Sequence, residues 1–205
     1  LTGIGKYTGE MAEWLTVRGC EVSVVTAPPY YPAWKISEGY TGWRYADESV
    51  GGARVIRCPV WVPARPNGLT RLIHLASFAV SSALVCLWRG LWWRPDIVFT
   101  VEPPLFAAPA AWLAARLGGA RAWLHVQDFE VDAAFDLGLL RSRGLRRLVG
   151  GAERWLMRRF DRVSTISERM AERLRAKGVE SARVALFPNW VDTEVIRPVP
   201  RDGNQ

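Results

Sequence analysis

The sequence predicts an α/β fold on a parallel sheet whose two faces are both covered by helices. Two observations predict it. Strand-like and helix-like segments alternate along the 205 residues, separated by glycine and proline. The strand-like segments are continuous apolar runs without polar alternation, as expected of parallel strands buried on both faces.

Each element has its own signal. Lys6 to Arg18 places Met11, Ala12 and Leu15 on one helical face beside Trp14, and Gly19 stops it. Glu21 to Thr26 is rich in β-branched residues and closes at Pro28-Pro29, so it reads as a strand. From Tyr30 to Val50 tyrosine, tryptophan, glycine and charge mix with little period, which predicts a long surface loop. Ala53 to Cys58 is a second strand. Arg71 to Trp93 is an apolar helix, and its uncharged stretch Leu72 to Trp88 is at the short edge of what spans a bilayer. A buried crossover helix is the expected reading, although Trp88, Trp92 and Trp93 beside Arg89 and Arg94 also suit a membrane interface. The strand Asp96 to Val101, a helix from Leu105 to Leu117, and the strand Arg121 to Val126 follow. Next come an acidic loop from Asp128 to Asp136 and a basic helix over Leu145 to Phe160. The chain closes on the strand RVSTI, a helix capped by Ser167 and stopped by Gly178, and the strand ARVALF. This is a Rossmann-type order that lacks one member: the glycine-rich turn needs a strand before it, and the chain begins on the turn.

The formal net charge of +7 is local. Arg141 to Arg175 holds 11 basic and 4 acidic residues, and the rest of the chain balances to zero. A neutral body with one basic segment argues against a nucleic-acid binder and suits an anionic membrane surface or a phosphorylated ligand. In the basic helix, Leu145, Leu148, Val149, Ala152, Trp155 and Leu156 form the expected core stripe, with Arg146, Arg147, Arg154 and Arg158 facing outward. Cys20, Cys58 and Cys86 are scattered and odd in number, which predicts reduced, buried thiols and a cytoplasmic setting.

The candidate site residues follow from position. Gly3 and Gly5 precede the first helix, where backbone N–H groups can face a phosphate or a sugar, and Lys6 and Tyr7 add a cation and a hydroxyl. A bare strand-to-helix turn is the other reading. His125 ends an apolar strand, with Asp128 three residues on, at the strand end where ligands of parallel sheets collect. A satisfied histidine capping the core remains open beside that chemistry. His74, inside an apolar helix, reads as packing. Asp128, Glu130, Asp132 and Asp136 read as a solvated acidic loop and not as a metal site. TGIGKYTG does not complete Gly-x-Gly-x-x-Gly, because Gly9 comes one residue late, and this disfavours a dinucleotide-dependent oxidoreductase.

Taken in order, TGIGKYTGEMAEWLTVRGCEVSVVT, APPYYP, HVQDFEVD, RVSTIS and FPNWVD resemble the N-terminal half of a retaining glycosyltransferase of glycosyltransferase family 4, of GT-B fold. APPYYPAW and HVQDFEVD together resemble the colanic-acid-type exopolysaccharide enzymes, and PNWVDTEVIRP resembles the family's hinge, with Trp190 in place of its glycine. The resemblance implies an acceptor-side domain over residues 1–188, with residues 189–205 as hinge and linker toward a donor-binding domain. It implies that Gly3, Gly5 and Lys6 meet donor phosphates and that His125 and Asp128 lie beside the reacting sugar. Tyr30, Tyr31 and Glu102, each just after a strand, are the expected acceptor contacts. The implied partners are a nucleotide-diphosphate sugar and a polyprenyl-diphosphate-linked saccharide at the inner membrane face, with no metal or cofactor. The chain then reads as a fragment cut after its first strand and before its donor site, and inactive alone. The alternative is a non-catalytic membrane-docking or saccharide-binding module.

Overall fold

The computed structural model describes residues 4–132 and 142–193. Gly3, Asp136 and the linker beyond residue 193 lie outside them. The elements run α1 (Ile4–Val17), β1 (Ser23–Thr26), β2 (Ala46–Val50), β3 (Ala53–Arg57), α2 (Gly68–Trp92), β4 (Ile97–Glu102) and α3 (Ala108–Gly118). They continue with β5 (Arg121–Val126), α4 (Arg143–Met157), β6 (Arg162–Thr165), α5 (Glu168–Ala176) and β7 (Val184–Leu186).

The strands form two sheets. β4-β5-β6-β7 is four-stranded and wholly parallel, in sequence order, which is the Rossmann-like sheet that the apolar runs predict. β1-β3-β2 is three-stranded, with β1 and β3 parallel and β2 antiparallel to β3. Among the described residues, β1 pairs only with β3, and β4 only with β5. β2 corrects the expected loop over Tyr30 to Val50: ADESV carries no apolar signal because it is an outer strand. Its pairing is reinforced by Arg54 on Asp47 and by Arg57, whose Nε lies 2.7 Å from Glu48 Oε1.

The main core lies between the four-stranded sheet and its helices. It joins Leu124 and Val126 of β5 and Val163 of β6 to Leu156 and Met157 of α4, together with Phe160 and Leu174. The α3 contribution is nearly all alanine, and small residues let α2 and α3 cross closely. A Cβ built on Gly90 would fall 2.5 Å from the Ala114 carbonyl oxygen, and one on Gly118 would fall 2.5 Å from that of Gly90. Asn67 caps α2 in a reciprocal pair with Thr70, and Ser167 caps α5 as expected.

Three burial expectations are corrected. α2 is not enclosed: only 11% of its most apolar 18-residue stretch is buried, because one face packs on α3 while Leu69, Val80, Leu84, Trp88 and Trp92 face outward. α4 is rotated from its expected stripe, leaving Leu145, Leu148 and Trp155 exposed. Glu153 instead turns inward, where Lys177 Nζ meets it at 2.6 Å. Cys20 is exposed, whereas Cys58 is buried.

Candidate active site at the carboxyl ends of the parallel strands

Four strands of one direction end together at Glu102, Val126, Thr165 and Leu186, and the chain leaves each end into a turn. The first two turns of α1 close over this edge. Tyr7, Thr8 and Met11 line a small cleft with Phe99 and Val101 of β4, His125 at the end of β5, Gln127, Phe187 and Trp190. The structure therefore brings Tyr7 and His125 to one place and adds the segment after β7, while Gly5 and Lys6 are not among the residues that line the cleft.

Aromatic packing builds the cleft floor. The His125 ring stacks on Phe99 at 5.7 Å and packs on Phe187 at 5.3 Å. Trp190 meets Tyr7 edge-on at 5.2 Å, and its Nε1 donates to Glu10 Oε2 at 2.7 Å. The tryptophan at the hinge-like position thus ties the segment after β7 to α1. Asn189 Nδ2 donates to Gln127 Oε1 at 3.4 Å across the same edge.

His125 is 4% exposed, and its Nδ1 lies 2.9 Å from Ser164 Oγ. Burial pushes its pKa down to about 4, so the ring is neutral at physiological pH. Lys6 sits half exposed, 3.8 Å from Glu10. Gly5 is exposed at the start of α1, and Asp128 is exposed just after β5.

The expected acceptor contacts separate. Tyr31 is 64% exposed, while Tyr30 is half-buried, with its ring 4.7 Å from His74. Glu102 is a correction: it is 0% exposed, neither carboxylate oxygen has a hydrogen-bond partner among the described residues, and it offers no surface to an acceptor. Burial and the neighbouring Glu153 and Glu130 push its carboxyl up to about 9. The acidic turn after β5 is also less solvated than expected: Glu130 accepts from Leu105 N at 2.8 Å, and Asp132 pairs with Lys177 at 2.9 Å. His74 is the packing residue that its helix predicts, with Nδ1 2.7 Å from the Trp61 carbonyl oxygen.

Trp190 lines the cleft, and Ser164 and Trp123 stand behind His125, three residues that the sequence reading does not include among the site residues. Ser164 and Thr165 carried a signal, being a polar pair inside a strand otherwise read as buried, where each hydroxyl needs a partner.

A parallel sheet with a cleft at its carboxyl edge, closed by a helix start, is the build of a Rossmann-like ligand-binding domain, here that of the N-terminal half of a GT-B glycosyltransferase. The sequence pattern of the family described as Glycosyl transferase 4-like domain matches residues 2–190, and the chain belongs to that family. It is 50% identical over 193 residues to the putative colanic acid biosynthesis glycosyl transferase WcaI of Escherichia coli (strain K12), covering 93% of this chain and 47% of that protein. It is 33% identical over 156 residues to the 2-deoxystreptamine N-acetyl-D-glucosaminyltransferase of Streptomyces fradiae, covering 72% of this chain and 35% of that protein. The chain thus spans about half the length, or less, of these relatives.

Proposed function

We propose that this chain is the acceptor-side part of a retaining glycosyltransferase acting in exopolysaccharide biosynthesis. The enzyme transfers a sugar from a nucleotide-diphosphate donor to a polyprenyl-diphosphate-linked saccharide at the cytoplasmic membrane face. The observation that supports this reading is the meeting of Tyr7, Thr8 and Met11 of α1 with His125 and the segment after β7 at one strand edge. Half identity to a protein named for colanic acid biosynthesis supports the exopolysaccharide setting.

In this reading Gly3, Gly5 and Lys6 are the residues that meet the donor diphosphate, whose charge is met by backbone N–H groups and a cation. His125 lies beside the reacting sugar, and Asp128 stands at the rim. The departing diphosphate helps take the acceptor proton on the same face of the sugar, so the step calls for neither a metal nor a cofactor. Tyr30 and Tyr31 remain the proposed acceptor contacts.

Attachment to an anionic leaflet follows from two surfaces. On α4, Arg146, Arg147 and Arg154 are exposed, as is Arg158 just beyond it. The second surface is the outward apolar face of α2. Residues 50–95 hold six arginines and no acid, which corrects the reading of a single basic segment, since the rest of the chain is neutral only in sum; Arg65, Arg71, Arg89 and Arg94 form no ion pair among the described residues. An apolar helix face between cations matches a membrane interface. In this reading the helix, packed on α3 through Gly90, lies along the membrane surface.

The test is sugar transfer by the full-length protein from a panel of nucleotide-diphosphate sugars to a polyprenyl-diphosphate-linked acceptor. Turnover is expected with at least one donor. Saccharide or vesicle binding without turnover of any donor overturns the enzyme reading in favour of a binding module.

A further inference from the structure

Among the described residues, Ser164 Oγ contacts two nitrogens and no acceptor oxygen. Trp123 Nε1 lies 2.8 Å away and His125 Nδ1 lies 2.9 Å away. The sheet dictates this meeting. His125 and Ser164 are register partners across β5 and β6, and Trp123 is two residues before His125, on the same face of β5. Ser164 is 0% exposed, so water does not complete its hydrogen bonds.

An indole nitrogen only donates, so the Ser164 oxygen accepts from Trp123. The hydroxyl has one proton, and the sole side-chain acceptor within reach among the described residues is His125 Nδ1. Were Nδ1 protonated instead, the oxygen would accept two N–H groups and its own proton would be buried without a partner, at a cost of one unsatisfied hydrogen bond.

We infer that Trp123 and Ser164 are positioning residues that hold His125 in the neutral tautomer with the proton on Nε2. Nε2 makes no side-chain hydrogen bond among the described residues, the Ser164 backbone favours a proton on the ring, and the ring borders the cleft. His125 therefore presents a hydrogen-bond donor to the cleft and no free base. Resting on the proposed glycosyl transfer, its role is to donate to an oxygen of the bound sugar or diphosphate, and acceptor deprotonation falls to the departing diphosphate.

His74 supplies an internal contrast. Its Nδ1 faces the Trp61 carbonyl oxygen at 2.7 Å, and a carbonyl only accepts, so Nδ1 carries the proton there. The two histidines should thus differ at Nδ1 in one sample, with a proton on that of His74 and none on that of His125.

The experiment is nitrogen NMR of the full-length protein labelled at histidine, with His125 assigned from the spectrum of the His125→Gln variant. The expected result is protonated Nε2 and unprotonated Nδ1 at His125, with a protonated Nδ1 at His74. Ser164→Ala should mix the His125 tautomers, Ser164→Thr should keep the wild-type pattern, and Trp123→Phe should raise the Nδ1–H population. In the transfer assay Ser164→Ala should lose about ten-fold in kcat/KM, the scale of one hydrogen bond, and Ser164→Thr should recover most of it. Protonated Nδ1 at wild-type His125, or a tautomer unmoved by Ser164→Ala, overturns the inference. A tautomer that responds in NMR while His125→Gln leaves transfer intact upholds the positioning and removes the catalytic setting.

Discussion

His125 and Glu102, two buried ionisable side chains at adjacent strand ends, tilt stability in opposite directions with pH. His125 has a native pKa of about 4 against an ordinary value of 6.5, so as pH falls the unfolded chain takes up this proton first. Its contribution is complete above about pH 6.5 and is lost between there and pH 4, on the order of 3 kcal/mol. Replacing His125 with Gln should narrow the gap between urea midpoints at pH 7 and pH 4.5. An unchanged gap would mean that the ring is not held neutral. Glu102 has the reverse sign. Its carboxyl is raised from 4.5 to about 9, so its contribution is complete below pH 4.5 and is lost as pH rises toward 9. Glu102→Gln, which keeps the size and removes the charge, should raise Tm at pH 8 and leave it unchanged at pH 4, by calorimetry. A lower Tm at pH 8 would show that the buried carboxylate is stabilising there. Neither environment was legible in sequence. His125 was visible as a strand end and Glu102 as a residue after a strand, but partners from β6, α4 and the turn after β5 decide their protonation.

At the scale of elements, α2 carries two separable loads. Its inner face is fixed to α3 through Gly90, where a side chain would meet the Ala114 carbonyl, so Gly90→Val should cost about 1–3 kcal/mol by urea unfolding. A cost within error of zero would mean that the crossing is looser than described. Its outer face is tested by vesicle co-sedimentation. Val80→Glu with Leu84→Glu should abolish binding of the full-length protein to anionic vesicles and leave Tm nearly unchanged, since both residues are exposed. If neutralising the four arginines at and beyond α4 abolishes binding instead, attachment is electrostatic and should also weaken steeply with salt. The apolar composition of α2 was plain in sequence, but not which face was covered. That choice rests on the glycine and alanine spacing of α2 and α3 taken as a pair. The rotation of α4 was hidden for the same reason: Glu153 reads as a surface residue until Lys177 is seen to reach it.

For the molecule as a whole, most of the sequence-derived elements recur, because apolar runs between prolines and glycines mark strands independently of tertiary context. Arg121 to Val126 has identical bounds in both readings, and Ser167 caps the helix that it was assigned. What escaped depends on pairing. β2 has no apolar signal of its own, the division into two sheets depends on which strands are neighbours, and the Trp123–Ser164–His125 chain exists only in the observed register. The candidate site was legible as two distant pieces, the α1 start and His125. Trp190 was legible only as a departure from the hinge pattern, whereas in the fold it joins the segment after β7 to α1 through Tyr7 and Glu10. The measurement that bears most directly on glycosyl transfer at this cleft is steady-state transfer by the full-length His125→Ala protein, confirmed as folded by its thermal melt. Loss of a side chain beside the reacting sugar predicts a fall of about 100-fold or more in kcat/KM. Transfer at the wild-type rate contradicts the placement of the reaction at His125.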